Sequence, residues 1–327
     1  MSEIKVNSIS SLNGANGPVI SGIATMVSSG AMLLPRGDTA YRGGRGRGVF
    51  GGGADAPSTV GMNIIDYITI ATLGNALDFG DLNTISSYSA PVSSSTRGVF
   101  AGGAGTPSSP YRVNSISYIT ISATGNSFDF GDLTTLRYGS GSCSDSTRGI
   151  VAGGDSPTVL KSIDYITIST LANASNFGDL SAARQAIGGA SSTTRGIFSN
   201  GFSVPALANV IDYITIASTG NATDFGDASV SRRSCTAAAS STRMVIAGGI
   251  TPSLSDVIDY VTISSTGNAT DFGNLSSARY EAGGGSNNTR AIFSAGIASA
   301  SVNNVIDFIT IASTGNATDF GDQSTSR

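Results

Sequence analysis

One pattern of apolar residues recurs six times along this chain. It opens with a run of β-branched and aromatic residues, Ile-Asp-Tyr-Ile-Thr-Ile in the fourth copy, and the copies begin at Ile65, Ile116, Ile163, Ile211, Ile258 and Ile306. This composition is typical of a strand that is covered on both faces. A polar turn follows, and a Phe-Gly pair, which marks a further strand, always stands twelve residues after the strand aromatic. Six copies at a spacing of nearly fifty residues indicate a repeat architecture.

Each repeat unit has two more candidate strands ahead of this pair. A run of small residues follows a marker position, usually Arg, as in Tyr280–Gly285, and an apolar run ending in a Gly pair follows a second Arg, as in Gly98–Gly103. The two markers are always eleven residues apart, and only the loop between the second and third strands varies in length. Constant spacing with one free loop is what stacked, mutually packed units require.

Four strands per unit predict an all-β fold, a six-bladed β-propeller with one sheet per blade. The predicted blades cover residues 36–85, 86–136, 137–183, 184–231, 232–278 and 279–327. A solenoid β-helix is the main alternative, but its shorter turns would not need four strands. The repeats start at marker Arg36 and the chain ends at the same marker, Arg327, so no strand is left to be shared. We therefore expect contiguous blades, with Arg36 and Arg327 close together and the ring closed by packing and side-chain contacts, helped by Arg42 and Arg45.

Residues 1–35 form a separate arm ahead of the repeats. They contain two short extended segments, residues 4–9 and 19–27, and no helical periodicity. So short a segment cannot bury a core of its own, so we expect a partner chain to complete it. The candidate attachment residues are the apolar ones of these two segments: Ile4, Val6, Ile9, Val19, Ile20, Ile23 and Met26.

The amino-acid composition argues against several classes of function. Charged residues make up 12% of the chain, the net charge is −4, and histidine is absent, which removes the commonest catalytic base and transition-metal ligand. We expect no enzyme activity, no cofactor and no metal. No apolar span suits a membrane helix, and Cys143 and Cys235 occupy different repeat positions, so no disulfide is expected. The stretch around Arg42 and Arg45 resembles a Gly-Arg nucleic-acid segment, but nucleic-acid binding is not the favoured interpretation.

The recurring acidic and basic residues are interpreted as structural, because a catalytic site is normally singular. Aspartates in the third strand are expected to make turns or hydrogen bonds between blades, and those after Phe-Gly to cap turns rather than bind calcium. The repeated arginines are expected to connect neighbouring blades through these carboxylates. The third-strand aspartates are Asp66, Asp164, Asp212, Asp259 and Asp307. Those after Phe-Gly are Asp81, Asp132, Asp179, Asp227 and Asp322.

The variable loops are the better candidates for binding. They differ in sequence as well as length while the scaffold repeats, and blade symmetry places them all on one face of the ring. The longest version carries Tyr111 and Arg112, residue types that are enriched at binding hot spots. Drifted surface loops without a partner are the open alternative.

The order of these features resembles the kelch repeat family. The run Arg137, Gly153-Gly154, Tyr165, Phe177 shows the order of a kelch unit: an Arg, an apolar strand ending in Gly-Gly, a Tyr-bearing strand and an aromatic. This chain has no Trp, and Phe takes the place of the kelch Trp in every unit. The resemblance covers residues 36–327 and implies a kelch-like propeller. It implies little about function, because kelch propellers serve as enzymes, adaptors and binders.

The arm resembles the N-terminal segments of virion structural and tail-fibre proteins in cyanophage-type tailed phages. The resemblance covers about the first tenth of the chain, including the stretches IKVNSISSLNGANG and SSGAMLLPRGDT. It implies a non-enzymatic virion protein, a tail, neck or capsid appendage that is oligomeric in the particle and attached to other virion proteins by the arm. The alternative is a lectin-like or receptor-binding propeller that recognises a host cell-surface glycan.

Overall fold

A computed structural model describes residues 46–54, 61–105, 111–299 and 301–326, which form six antiparallel sheets in a ring. The six-bladed all-β propeller is thereby confirmed. Blades two to six each contain four strands that follow one another in sequence across the sheet, and the described part of blade one contains three. The arm with its attachment residues lies outside the described residues, as do Arg36, Arg42, Arg45 and Arg327.

The strands occupy the same repeat positions in every blade. The inner strands are Ala90–Ser93, Gly141–Ser144, Gly188–Ser191, Thr236–Ala239 and Gly283–Ser286. The second strands are Arg47–Gly51, Arg97–Ala104, Arg148–Ala152, Arg195–Ser199, Arg243–Ala247 and Arg290–Ser294. The third strands are Met62–Thr69, Arg112–Thr120, Ser162–Thr167, Val210–Thr215, Val257–Thr262 and Val305–Thr310. The outer strands are Leu77–Ser86, Phe128–Asp132, Ser175–Asp179, Thr223–Asp227, Thr270–Asn274 and Thr318–Asp322.

Short hairpins extend three of the loops between the second and third strands. Their strands are Asp155–Ser156 with Thr158–Val159, Phe202–Ser203 with Ala206–Leu207, and Ile297–Ala298 with Ser301–Val302. In blades two to six, the residue at the start of the loop also pairs with the residue just after the first marker of the same blade. Since the blades share one topology, the described parts of these loops lie on one face of the ring, as predicted.

The hydrophobic core lies between successive blades. One cluster joins Ile211 and Phe225 of blade four to Met244, Ile246 and other buried residues of blade five, and equivalent clusters fill the other interfaces. The third strand is buried on both faces, because each of its faces packs against a neighbouring sheet, and this explains its continuous apolar run. The predicted twelve-residue spacing places the strand aromatic against the outer-strand Phe, in edge-to-face pairs with centroids about 6 Å apart.

A buried ion pair joins the segment that leads into each of blades three to six to the third strand of the same blade. The first-marker Arg contacts the third-strand Asp of its own blade at 2.7 to 3.3 Å, and both side chains are at most 1% exposed; the pairs are Arg137–Asp164, Arg184–Asp212, Arg232–Asp259 and Arg279–Asp307. The same carboxylates accept a hydrogen bond from a Ser or Thr at the end of the preceding blade. In blade two both partners are absent together, because Ser86 and Ser117 occupy the two positions.

The arginines do not connect the blades in the way that the sequence predicted. The first-marker arginines pair with carboxylates inside their own blade. The second-marker arginines do connect neighbouring blades, but they donate to backbone carbonyls, as Arg195 does to Ile263 at 3.0 Å. A buried strand-end carbonyl needs a donor, and the long Arg side chain reaches it while its guanidinium lies over the strand aromatic of its own blade.

The outer edge of each interface is made by the turn between the third and outer strands. The Asn of this turn accepts a hydrogen bond from the backbone N–H that follows Phe-Gly in the preceding blade, as Asn268 does from Asp227 at 3.0 Å. The glycine of Phe-Gly is required there: Gly226 has φ +142°, and an added Cβ would lie 2.5 Å from the carbonyl oxygen of Gly267. The aspartates after Phe-Gly lie in the outer strands, as Asp227 does at the end of its strand, so their predicted position in a turn is wrong.

The ring closes between blades six and one with the same contacts. Phe50 and Ile68 of blade one share a core cluster with Ile292 and Phe320 of blade six. Arg290 donates to the carbonyl of Ile70 at 3.1 Å, and the third-strand aspartate of blade one accepts from a C-terminal serine. The last blade is complete without a strand from the N-terminal part of the chain. Closure by packing and side-chain contacts is therefore confirmed for the described residues.

Candidate ligand site at the channel mouth

A central channel of about 690 Å³ runs between the blades. In blades two to six its wall is formed by the inner strands, whose side chains are mostly Gly, Ala and Ser, and in blade one the described wall is the second strand, Arg47–Gly51. Small residues are needed there because the inner strands approach each other closely: a Cβ on Gly284 would lie 2.5 Å from the Ala237 carbonyl oxygen of blade five. Serines also join adjacent inner strands, as Ser191 does by donating to Ser144 at 2.9 Å. The side chains of the inner strands therefore pack against the adjacent blades, and few of them are available to a ligand.

One end of the channel has a different character. Its rim, the channel mouth, consists of the two residues that follow the first marker in blades two to six. The second residue of each pair is in the left-handed conformation, with φ between 55° and 64°, and in blades three to six its N–H donates to the carbonyl of the equivalent residue in the preceding blade. These residues are Tyr88, Gly139, Ala186, Ser234 and Glu281. The backbone of the mouth is therefore held by a series of hydrogen bonds that passes from blade to blade.

The side chains of the mouth do not repeat. In blades two to six the pairs read Ser-Tyr, Tyr-Gly, Gln-Ala, Arg-Ser and Tyr-Glu, at residues 87–88, 138–139, 185–186, 233–234 and 280–281. Five tyrosines are the strand aromatics of the repeat, and every other tyrosine of the described chain lines the channel: Tyr88, Tyr111, Tyr138 and Tyr280. We call these four residues the tyrosine cluster.

Three of the four rings are in contact. Tyr138 lies between Tyr88, at a centroid distance of 5.9 Å, and Tyr111, at 5.5 Å in an edge-to-face arrangement. Arg112 forms an ion pair with Asp155 of the next loop and lies over the Tyr138 ring. The structure thus brings the predicted loop residues Tyr111 and Arg112 to the mouth. Tyr88 and Tyr111 remain 40% and 45% exposed, so both offer ring surface to a ligand.

A hydrogen bond spans the mouth between blades two and six. The Tyr88 hydroxyl donates to Glu281 Oε2 at 3.0 Å, although the two residues are 193 positions apart in sequence. Burial raises the pKa of Glu281 above its ordinary value, while the Tyr88 hydrogen bond and the nearby Arg233 charge oppose this. Burial also raises the pKa of Tyr88, and the Glu281 charge adds to it. The phenol therefore stays neutral and acts as a donor.

The opposite side of the mouth, in blades four and five, is polar. Arg233 lies over the ring of Phe202 at 5.3 Å from its centroid, and Gln185 pairs with Phe202 through the backbone. The mouth is therefore asymmetric: aromatic around blades two, three and six, and amide and guanidinium around blades four and five. A ligand bound there would have one orientation rather than six equivalent ones.

Sequence reasoning found two residues of this site and missed the others. Tyr88, Tyr138, Tyr280, Arg233 and Glu281 were not singled out, because the loops were considered alone. A usable signal was present: these are the positions just after the marker at which the inner-strand region departs from the repeat. The candidate attachment residues of the arm lie outside the described residues.

Cys143 and Cys235 are both buried. In the described part of the chain, no three His, Cys, Asp or Glu side chains are grouped so that they could hold a metal ion. The same residues include no helix that is long and apolar enough to span a membrane. Comparison of the chain with protein-family models and with curated proteins returned no match.

Proposed function

We propose that this protein is a non-enzymatic binding protein, a virion appendage that is attached to the particle by its N-terminal arm and binds a ligand at the channel mouth. The observation that carries the binding role is the contrast between scaffold and mouth. Markers, core and interface contacts repeat from blade to blade, whereas no two of blades two to six carry the same pair of side chains at the mouth. Variable side chains on a rigid frame are typical of recognition sites.

The charged groups of the mouth support binding rather than catalysis. Asp155 is paired with Arg112, and Glu281 accepts the Tyr88 hydroxyl. Among the titratable side chains of the mouth there is no histidine to act as a base near pH 7, since the chain has none. The phenols and carboxylates serve as donors and acceptors in fixed positions, as a specific binding site requires.

The virion role is supported by the resemblance of residues 1–35 to phage tail-fibre and virion structural segments. We expect immunogold labelling with antibodies against the propeller to mark purified virions. A chain that lacks residues 1–35 should fold but fail to be incorporated into particles. Incorporation of the truncated chain at the normal level would contradict the attachment role of the arm.

The binding role has a separate test on the full chain. Fluorescently labelled protein should bind susceptible host cells, and a mouth variant should bind them more weakly. Tyr88→Ala is a suitable variant because Ala186 of blade four occupies the same backbone conformation, so the fold should be kept. Tyr213→Phe is the matched control, since Phe308 of blade six stands at that register position. Equal loss of binding in both variants would contradict a site at the mouth.

A further inference from the structure

We propose that the ligand of the channel mouth is a neutral carbohydrate, an inference that rests on the binding role proposed above. The first argument is the arrangement of aromatic surface. The tyrosine cluster presents partly exposed rings set at steep angles to each other, 56° for Tyr88 and Tyr138 and 83° for Tyr111 and Tyr138. Pyranose rings carry faces of C–H groups that pack on aromatic rings, and each Tyr adds a hydroxyl beside the apolar contact.

The charge balance disfavours an ionic ligand. Arg112 is neutralised by Asp155, and the Arg233 charge lies near enough to Glu281 to favour its carboxylate form. An anionic ligand would be repelled by Glu281 and a cationic one by Arg233. A neutral polar ligand meets neither repulsion.

The hydrogen-bonding groups match hydroxyls. A sugar hydroxyl both donates and accepts, so it is best recognised by a site that offers both functions. Glu281 accepts, Arg233 donates, and the Gln185 amide does both, with the three side chains in successive blades around the channel.

The asymmetry of the mouth indicates one sugar-binding site in each chain. Among the described residues the tyrosine cluster lies in blades two, three and six, and the Tyr88–Glu281 hydrogen bond joins blades two and six. Gln185 and Arg233 line the same channel in blades four and five, and Tyr88 and Tyr138 line it in blades two and three. Recognition would therefore combine one aromatic wall with one polar wall.

The test measures binding of the full labelled chain to host cells that are untreated, oxidised with mild periodate, or treated with protease. We expect periodate to abolish binding and protease to leave it. Neutral oligosaccharides should compete, whereas sialylated and sulfated ones should not. Binding that survives periodate but not protease would overturn the carbohydrate inference and leave the binding role intact. Competition by anionic glycans alone would overturn the neutral class, and absence of binding to untreated cells would overturn the proposed binding role itself.

Substitutions taken from other blades identify the residues. Tyr138→Gln introduces the residue that blade four carries at this position, and Tyr111→Ala shortens a loop residue outside the core. Each should weaken the affinity for the best competing oligosaccharide at least tenfold, with an unchanged Tm, while Tyr213→Phe binds normally. Should Tyr138→Gln fail to fold, Tyr111→Ala still decides, because it changes no sheet contact. Normal affinity in a folded Tyr111→Ala variant would exclude the tyrosine cluster as the sugar site.

Discussion

The buried pair of Arg184 and Asp212 should act as a coupled unit, so that losing both partners costs less than the sum of the two single losses. Their side chains are 1% and 0% exposed and 2.7 Å apart. Burial lowers the pKa of Arg184 more than the Asp212 charge restores it, and Asp212 Oδ1 has no hydrogen-bond partner among the described residues. Desolvation therefore offsets much of the attraction within the pair. Blade two shows the alternative, since serine stands at both positions there.

The magnitudes follow from which groups lose their partner. Asp212→Ser leaves a buried guanidinium that still donates to the carbonyls of Val210 and Phe198, and Arg184→Ser leaves a buried carboxylate with only Ser181. Each single change should cost about 3–5 kcal/mol of unfolding free energy. The double variant should be less destabilised than the sum by about 2–3 kcal/mol, because no buried charge is left alone.

Urea denaturation of the full chain and its three variants measures this coupling. The control combines Arg184→Ser with Asp307→Ser, which lies in blade six and pairs with a different arginine. That combination should be additive, since the two residues share no partner. If the Arg184 and Asp212 changes are additive as well, the pair does not act as a unit and the explanation of the double serine in blade two is wrong.

Three further outcomes are expected. Gly284→Ala should cost about 1–3 kcal/mol of unfolding free energy, because its Cβ would press on the inner strand of blade five. Gly285→Ala should be neutral, because its Cβ would meet no atom within 4 Å. Equal costs for the two variants in urea denaturation would refute the crowding argument. Asn221→Ala should cost about 1 kcal/mol in the same assay by removing the acceptor of the Asp179 N–H, and no loss would exclude a contribution from this bond. Burial raises the pKa of Glu281, so this side chain binds a proton more tightly in the folded chain than in the unfolded one. The wild type should therefore gain stability relative to Glu281→Gln as the pH falls from about 7 towards 4.5, the ordinary pKa of a glutamate. A relative loss of stability over this range would contradict the raised pKa.

The repeat pattern in the sequence predicted the strands that recur in every blade. The twelve residues between Tyr213 and Phe225 bring the two rings to 5.9 Å, because the third and outer strands pair as a hairpin of constant length. The partner of Arg184 could not be read in the same way. Its position relative to Asp212 is constant, but only the sheet geometry decides whether an Arg reaches the Asp of its own blade or of the next one. Spacing along the chain therefore predicted the elements but not every contact between them.

The site was harder to predict because its contacts cross the ring. Tyr88 and Glu281 meet through a channel that no single repeat unit contains, and nothing in the local sequence of either residue indicates the other. Tyr111 was found because it stands in an unusually long loop, whereas Tyr138 stands in a segment that was interpreted as scaffold. A residue-by-residue comparison of the units would have separated the two classes, since scaffold positions repeat and mouth positions do not.

The backbone of the mouth explains why its side chains are free to differ. At the left-handed positions of blades three to six, each N–H donates to the carbonyl of the preceding blade, so these hydrogen bonds do not depend on which side chain is present. A non-glycine residue in this conformation costs about 1–2 kcal/mol, yet Tyr88, Ala186, Ser234 and Glu281 all adopt it. Since the same backbone accepts a phenol, a methyl group, a hydroxyl and a carboxylate, the fold places little constraint on the chemistry at the mouth. The ring therefore separates stability from recognition: the repeated positions hold the blades together, and the unrepeated ones determine what the channel mouth binds.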